Sequence, residues 1–205
     1  TLDQNNCKIT FFMVGDWVKK YPESARKIKE AGHEIGTHSN THPHVKDFDY
    51  EKNALELSES VKIIRETTGA EVKLYRPPYG EYNDTVIKVA NENGYIPIIA
   101  HPERYPFVQE NPDYLFELEE MGALFQANFG SIIGMYGGKA KKTLKILLKN
   151  NLISFLGSDV HKPEQVYNKI PKIIKKLKKV ISDEEFIEFT EINPQKVLNN
   201  EDIIK

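Results

Sequence analysis

Residues 32–44 read Gly-His-Glu-Ile-Gly-Thr-His-Ser-Asn-Thr-His-Pro-His and contain four of the six histidines in the chain. The first part, residues 33–37, follows a glycine and predicts a short strand. The second part is a polar loop in which His38 and His42 lie four residues apart, and Pro43 ends it. On a helix or tight turn this spacing places both imidazoles on one side, where they can share a metal ion.

The same succession of strand, polar loop and helix recurs about six times along the chain. Strands are predicted over 8–15, 33–37, 72–75, 95–100, 123–127 and 152–156. Helices are predicted over 16–31, 50–68, 84–93, 111–121, 139–149, 166–181 and 183–199. Strands separated by helices run parallel, and nearly apolar strands are covered on both faces. The predicted fold class is therefore α/β, as one incomplete or distorted (β/α) barrel of about six parallel strands over residues 1–205, with a doubly wound sheet as the alternative.

The barrel is favoured by the position of the polar candidates, each of which follows the end of a predicted strand. They are His38, His42, Arg76, His101, Arg104, Asn128, Asp159 and His161. In a parallel barrel, such positions all lie on the C-terminal rim, where active sites are built. Asp159 and His161 are alternate residues of an extended segment, so they share a side and offer a carboxylate and an imidazole to a metal.

The two arginines each lie in a proline-containing strand exit. A guanidinium at Arg76 or Arg104 can bind a carboxylate, a phosphate or an oxyanion. Tyr79 can present its backbone N–H or its ring to a substrate. Each candidate also has an ordinary structural interpretation: a polar turn for the histidines, a helix cap for the aspartate and a surface ion pair for either arginine. His33 and His44 are expected to be structural or exposed.

Composition narrows the function classes. The 205 residues carry a net charge of -2, which provides no strong field for nucleic acid. The single cysteine, Cys7, excludes an internal disulfide and a cysteine-based zinc site. No apolar run reaches the roughly 18–20 residues of a membrane span, and a cytoplasmic location is favoured. Lys169–Lys179 is interpreted as an outer helix with a solvated lysine face, with a membrane-surface helix as the alternative.

Residues of about 1–95 resemble the polysaccharide deacetylases with a NodB-homology domain. The stretches that carry the resemblance are Thr10–Gly15, Ala31–Gly36, His38–His42 and Arg76–Tyr79. The resemblance implies that His38 and His42 bind a divalent metal (zinc, manganese or similar) together with one aspartate. It also implies that Arg76 steadies a second aspartate, the base that activates water on an N-acetyl group. Asn40 and Tyr79 are then candidate substrate-binding residues.

Residues of about 95–205 resemble the PHP-type tyrosine phosphatases of capsule and exopolysaccharide loci. The stretches that carry this resemblance are Pro97–Tyr105, Asn111–Pro112, Gly130–Ser131 and Ser158–His161. The resemblance implies that His101, Asp159 and His161 bind a metal cluster and that Arg104 lies close to the phosphate. Asn128 is a candidate substrate-binding residue.

We interpret the chain as a hybrid of two half-barrels that meet at residues 93–95, whether natural, engineered or misassembled. The first half begins after the strand expected to carry the adjacent Asp-Asp motif, as if the chain started partway through a fold. The second half lacks the early H-x-H motif and the acidic bridging ligand, and a second arginine is not evident in residues 162–165.

Three functions stay open. The leading one is metal-dependent deacetylation of a glycan, with Asp159 replacing the missing aspartate ligand. The second is hydrolysis of a phosphotyrosine protein or peptide, with Arg104 holding the phosphate. The third is a catalytically silent metal-binding scaffold. Arg76, Arg104 and Asp159 are the catalytic candidates, and no nucleic-acid partner is expected; the oligomeric state is left open.

Overall fold

The computed structural model describes residues 2, 4, 8–161, 166–199, 201 and 203. The chain forms two compact units, Thr1–Pro97 and Ile98–Lys205. The expectation for residues 162–165 lies outside the described residues, as does most of the opening segment. A single domain over the whole chain stays a prediction.

The sheet of the first unit has two parallel strands, β1 (Thr10–Met13) and β2 (Glu34–Thr37), paired from Thr10 with Glu34 to Met13 with Thr37. Two helices, α1 (Gly15–Lys20) and α2 (Pro22–Glu30), form the crossover that a parallel pair requires. The predicted single helix over 16–31 is wrong at Tyr21. Pro22 has no N–H to donate and occupies the first turn of a new helix instead.

The predicted strand over 72–75 is also wrong as a full strand. The segment pairs at one isolated bridge, between Thr37 and Tyr75. There the Thr37 N–H donates to the Leu74 carbonyl at 2.8 Å, and the Arg76 N–H donates to the Thr37 carbonyl at 2.9 Å. Two prolines follow immediately, and because neither has an N–H the pairing cannot continue. The bridge nevertheless brings Arg76 beside the end of β2.

The predicted helix over 50–68 is confirmed as α3 (Tyr50–Thr68). The Asp49 carboxylate accepts from the Lys52 N–H at 2.9 Å and caps its start, and Gly69, at φ 66°, ends it. A shorter helix, α4 (Asp84–Glu92), is capped by Asn83, whose Oδ1 accepts from the Val86 N–H. The core between β1, β2 and the helices consists of Met13, Val18, Ala25, Ile35, Ile64, Ala70 and Val72.

The second unit contains a three-stranded parallel sheet in chain order, β3 (Ile98–Ala100), β4 (Leu124–Asn128) and β5 (Phe155–Gly157). Between the first two strands lie α5 (Pro106–Glu110) and α6 (Tyr114–Glu120), and α7 (Gly137–Lys149) precedes β5. The strands meet in register at Ile99 with Phe125 and at Ala127 with Leu156. The predicted helix over 111–121 begins only at Tyr114, and the sequence analysis missed α5.

The end of the chain is helical, as predicted, but is divided into shorter pieces. They are α8 (Ile170–Leu177), α9 (Asp183–Ile187), a π-helical turn at Glu188–Ile192, and α10 (Asn193–Asn199). Pro194 cannot donate to the carbonyl four residues earlier, which accounts for the wider turn that precedes it.

The α/β class and the parallel strands are confirmed, whereas a barrel of six strands is not. Within the described ranges the chain forms five strands, arranged as sheets of two and three. The predicted strands over 95–100 and 152–156 were too long, since β3 begins only at Ile98 and β5 only at Phe155. In the same ranges, no helix is long and apolar enough to cross a membrane.

Candidate functional site

The loop after β2, residues 38–42, carries the two predicted metal-binding histidines side by side. The ring centroids of His38 and His42 are 4.9 Å apart, with the rings inclined at 71°. The His38 N–H donates to the Met13 carbonyl, so the loop leaves the sheet directly from the end of its ladder. The carbonyls of Ser39 and Asn40 accept from the first N–H groups of α1, at 3.0 and 2.9 Å. The loop and the helix therefore stabilise each other.

The His38 ring is oriented by the strand exit that contains Arg76. Its Nδ1 lies 2.6 Å from the Arg76 carbonyl oxygen, a group that only accepts hydrogen bonds. In the neutral ring the proton is thus on Nδ1, and Nε2 keeps a lone pair for a metal. Burial lowers the pKa of His38 below its usual value, and the neighbouring His42 adds to this, while the Arg76 carbonyl acts in the opposite direction. The neutral form favoured in this way is the one that binds metals.

Left-handed backbone conformations are concentrated around this loop. Ser39, His42 and Tyr79 have φ angles of 65°, 62° and 59°. Side-chain-bearing residues rarely adopt such angles, and they persist where the surroundings fix them. The His42 N–H donates to the Ser39 hydroxyl at 3.0 Å, which is one such restraint.

A glutamate that the sequence analysis did not single out holds the middle of the loop. One carboxylate oxygen of Glu56, on α3, accepts from the N–H groups of Asn40 and Thr41, both at 2.9 Å. The other oxygen accepts from the Thr41 hydroxyl at 2.8 Å. Glu56 lies in no recognisable motif, since it is one of many charged residues on an ordinary helix, and so the sequence offered no signal for it.

An exposed aromatic surface adjoins the histidine pair. The Tyr79 ring is stacked on the His44 ring at 4.3 Å and 14°, and it meets the His42 ring edge-on at 4.7 Å. Tyr79 is 60% exposed. The Glu81 carboxylate contacts Nδ1 of His44 at 3.0 Å and holds that ring in place.

The other predicted residues of this unit have mainly structural contacts. The Oδ1 of Asn40 is buried, with no hydrogen-bond partner among the described residues, and a Cβ placed on Gly15 would lie 2.3 Å from it. The Arg76 guanidinium lies over the Phe12 ring, with 5.8 Å between Cζ and the ring centroid. His33 is buried and accepts from the Ile9 N–H, as a structural histidine would.

The donor set fits a metal only in part. His38 and His42 supply two imidazoles, whereas a zinc site normally has three or four protein ligands. Throughout the ranges that the structure describes, no group of three or more His, Cys, Asp or Glu side chains could hold a metal ion. The pair is therefore a partial ligand set whose completion stays a prediction.

In the second unit, three of the predicted residues meet at one carboxylate oxygen. Asp159 Oδ2 accepts from the Arg104 guanidinium at 2.7 Å and from the Asn128 amide at 2.9 Å. Asn128 is fully buried, whereas the Asp159 side chain is 22% exposed. Arg104 also lies over the Tyr136 ring, with 4.4 Å between Cζ and the ring centroid. The Arg104 guanidinium is thus held at a strand end by the Tyr136 ring and the Asp159 carboxylate.

Glu103 contacts this cluster through Asn128 and was also not singled out. It is fully buried, and its Oε1 accepts from the Asn128 N–H at 3.1 Å and from the Ser131 hydroxyl at 2.7 Å. Burial raises the pKa of Glu103 above its usual value, although these hydrogen bonds act in the opposite direction. The signal in the sequence was its position between His101, a predicted ligand, and Arg104. A glutamate is rarely buried without a specific partner, so its burial here indicates a defined role.

The predicted ligands His101, Asp159 and His161 do not form a metal-binding group among the described residues. His101 has φ 43°, and its ring lies 5.5 Å from that of Tyr105. The His161 side chain is 77% exposed, and its Nδ1 lies 2.9 Å from the Asp159 backbone carbonyl. The role of these three residues as ligands stays a prediction.

Comparison with known proteins identifies two kinds of relative. The family model described as polysaccharide deacetylase matches residues 1–98. Chitin deacetylase 1 of Cryptococcus neoformans is 36% identical over 98 residues, which is 48% of this chain and 21% of that protein. Tyrosine-protein phosphatase YwqE of Bacillus subtilis is 47% identical over 68 residues, 33% of this chain and 27% of that protein. The chain thus matches about a fifth to a quarter of the length of these two relatives.

The solved structures add a likeness in fold. A chain from the crystal structures of YwqE of Bacillus subtilis and CpsB of Streptococcus pneumoniae, described as unique metal-dependent tyrosine phosphatases, superposes with a TM-score of 0.59 at 20% identity. The superposition covers 99% of the present chain and 85% of that one. The predicted resemblance is confirmed: the chain is similar to polysaccharide deacetylases in its first part and to PHP-type tyrosine phosphatases in the remainder.

Proposed function

We propose that the chain is a metal-dependent hydrolase, and that its leading activity is removal of acetyl groups from N-acetyl amino sugars of a glycan. The observation that carries this proposal is the pair His38 and His42, with Nδ1 of His38 held by the Arg76 carbonyl. The match of residues 1–98 to the polysaccharide deacetylase family supports it.

The residues of the loop have distinct roles in this proposal. His38 and His42 would hold the metal, and Tyr79 and His44 would flank the sugar with their exposed rings. When bound, a divalent metal supplies a water of lowered pKa and stabilises an oxyanion. The Arg76 carbonyl keeps the His38 proton on Nδ1, so that Nε2 keeps a lone pair that can bind the metal. The metal ligands predicted in the second unit and the barrel of about six strands stay predictions.

A second candidate is phosphotyrosine hydrolysis by the second unit. The observation that favours it is Arg104, which is fixed between the Tyr136 ring and Asp159 at a strand end. A guanidinium presented in this way binds a phosphate with two parallel hydrogen bonds. In this candidate the phosphate replaces Asp159 as the partner of Arg104.

Two assays with matched variants separate these functions from a silent scaffold. The full chain is tested on a chitin oligomer for acetate release and on a phosphotyrosine peptide for phosphate release, each with chelator and after readdition of zinc or manganese. We expect acetate release that the chelator abolishes and that is lost in His38→Ala but kept in Arg104→Ala. Phosphate release that is lost in Arg104→Ala and kept in His38→Ala would instead establish the second function. Metal binding without turnover of either substrate would instead establish a catalytically silent metal-binding scaffold.

A further inference from the structure

The loop that carries His38 and His42 has a conformation that it cannot keep unaided. Two of its residues, Ser39 and His42, have left-handed φ angles although both carry a side chain. Such residues favour other backbone regions in a free chain, so the observed shape requires bonds from outside the loop. The carbonyls of Ser39 and Asn40 accept from N–H groups of α1, whereas the N–H groups of Asn40 and Thr41 have a different partner.

Those central N–H groups are bound by Glu56. Its carboxylate accepts from two successive backbone donors, at Asn40 and Thr41, and from the Thr41 hydroxyl. A charged acceptor makes such bonds shorter and stronger than a neutral one. Both oxygens of the Glu56 carboxylate therefore accept hydrogen bonds from the loop.

The helix that carries Glu56 is itself fixed against the sheet. Leu57 and Ser60 of α3 are buried, and the Ser60 hydroxyl lies 2.5 Å from that of Thr37, the last residue of β2. Ser60 is one turn beyond Glu56 and therefore lies on the same side of the helix. Helix α3 thus contacts both the strand end, through Ser60, and the loop, through Glu56.

We propose that Glu56 is the positioning residue of the metal-binding loop. It holds residues 39–42 in the strained conformation that brings the His38 and His42 rings to 4.9 Å, and it does so without binding the metal. A measurement of zinc binding by this loop rests on the proposed function, whereas a measurement of hydrogen exchange at its amides does not.

The test compares Glu56→Ala and Glu56→Gln with Glu66→Ala in the full chain. Glu66 is an exposed residue of the same helix, so its replacement removes the same charge without touching the loop. Hydrogen exchange of the Asn40 and Thr41 amides is followed by NMR without added metal, and zinc binding is then measured by calorimetric titration. A thermal melt of each variant accompanies both measurements.

We expect amide exchange at Asn40 and Thr41 to accelerate at least about tenfold in Glu56→Ala, with exchange in the core of α3 unchanged. Zinc affinity should fall by about 10- to 100-fold, as it does when a group that orients a ligand is removed. Glu56→Gln, which keeps one acceptor oxygen, should lie between Glu56→Ala and the parent, and it decides the question if the alanine variant does not fold. Glu66→Ala should match the parent.

Two results would overturn the inference. One is unchanged exchange at both amides in Glu56→Ala and Glu56→Gln; the other is an equal acceleration in Glu66→Ala. Faster exchange in the Glu56 variants together with no zinc binding by the parent would support the positioning role and overturn the proposed metal-dependent function. The two failures are therefore distinguishable.

Discussion

Gly36 in β2 is the position where a single methyl group tests the packing beneath the histidine loop. A Cβ added there would lie 2.7 Å from two carbons of the Phe12 ring and 2.9 Å from the Leu74 carbonyl oxygen. The ring can rotate, but the carbonyl cannot move freely, because it accepts from the Thr37 N–H at 2.8 Å in the bridge that holds the Arg76 exit.

Gly36→Ala should therefore destabilise the first unit by about 1–3 kcal/mol, the usual range for an overpacked site. For a unit of this size, that corresponds to a fall in melting temperature of roughly 5–15 °C. Trp17 is the only tryptophan of the chain and lies on α1, so its fluorescence in a urea titration reports the unfolding of this unit. An unchanged urea m-value would show that stability alone has changed.

Replacement of the Phe12 ring supplies the control. In a Phe12→Leu background two of the three close contacts disappear, so Gly36→Ala should be less destabilising there than in the parent, with a coupling of at least about 0.5 kcal/mol. The reasoning would be refuted if Gly36→Ala stayed within about 0.5 kcal/mol of the parent, or if the two changes were simply additive.

The remaining predictions concern pH, a helix cap and the arginine cluster. Burial, with a smaller contribution from the charge of Glu56, raises the pKa of Tyr75 above its usual value. Above about pH 10 the unfolded chain then releases a proton that the folded chain retains, so the free energy of unfolding should fall by up to about 1.4 kcal/mol per pH unit. The Tyr75→Phe variant should lack this part of the pH dependence, as urea titration at several pH values can measure. Equal pH dependence in the parent and the variant would contradict the assignment to Tyr75. Asp49→Ala should lower the free energy of unfolding by about 1 kcal/mol through loss of the cap, whereas Asp49→Asn should keep most of it, as urea titration can measure. Asp159→Ala should bind inorganic phosphate about fivefold more tightly than the parent in a calorimetric titration, because the ion pair that competes for Arg104 has an energy of about 1 kcal/mol. The gain in affinity should vanish in the double variant with Arg104→Ala.

The sequence predicted best those features that depend on local chemistry. The bounds of α3 follow from Asp49 at its start and Gly69 at its end, which are strong helix signals. The strand over residues 34–37 follows a glycine at 32, and His38 and His42 lie in the polar loop directly beyond it. The resemblance to two families could also be recognised from the sequence, since short motifs in the correct order carry it.

What the sequence could not predict depends on partners distant in the chain. The 72–75 segment has the composition of a strand, yet pairing requires successive N–H donors, and the prolines at 77 and 78 remove them. Asp159 was predicted as a metal ligand, a role that stays a prediction, and the sequence did not show that its Oδ2 accepts from the Arg104 guanidinium, 55 residues away, and from the Asn128 amide. A list of residue types at strand ends does not show which of them bind one another.

Backbone strain occurs in both units, and the sequence offers no direct indication of it. Within the described residues, left-handed φ angles at residues other than glycine occur at Ser39, His42, Tyr79, His101, Asn151 and Asp159. All but Asn151 lie in the stretches that carry the family resemblances. Glu56 accepts from the N–H groups of Asn40 and Thr41, which lie between Ser39 and His42, whereas Glu103, two residues after His101, accepts from the Asn128 N–H. Strained residues persist only where surrounding bonds hold them, so Glu56 marks a loop whose geometry the fold maintains at the expense of stability, and this loop is the one in which chemistry should be sought first.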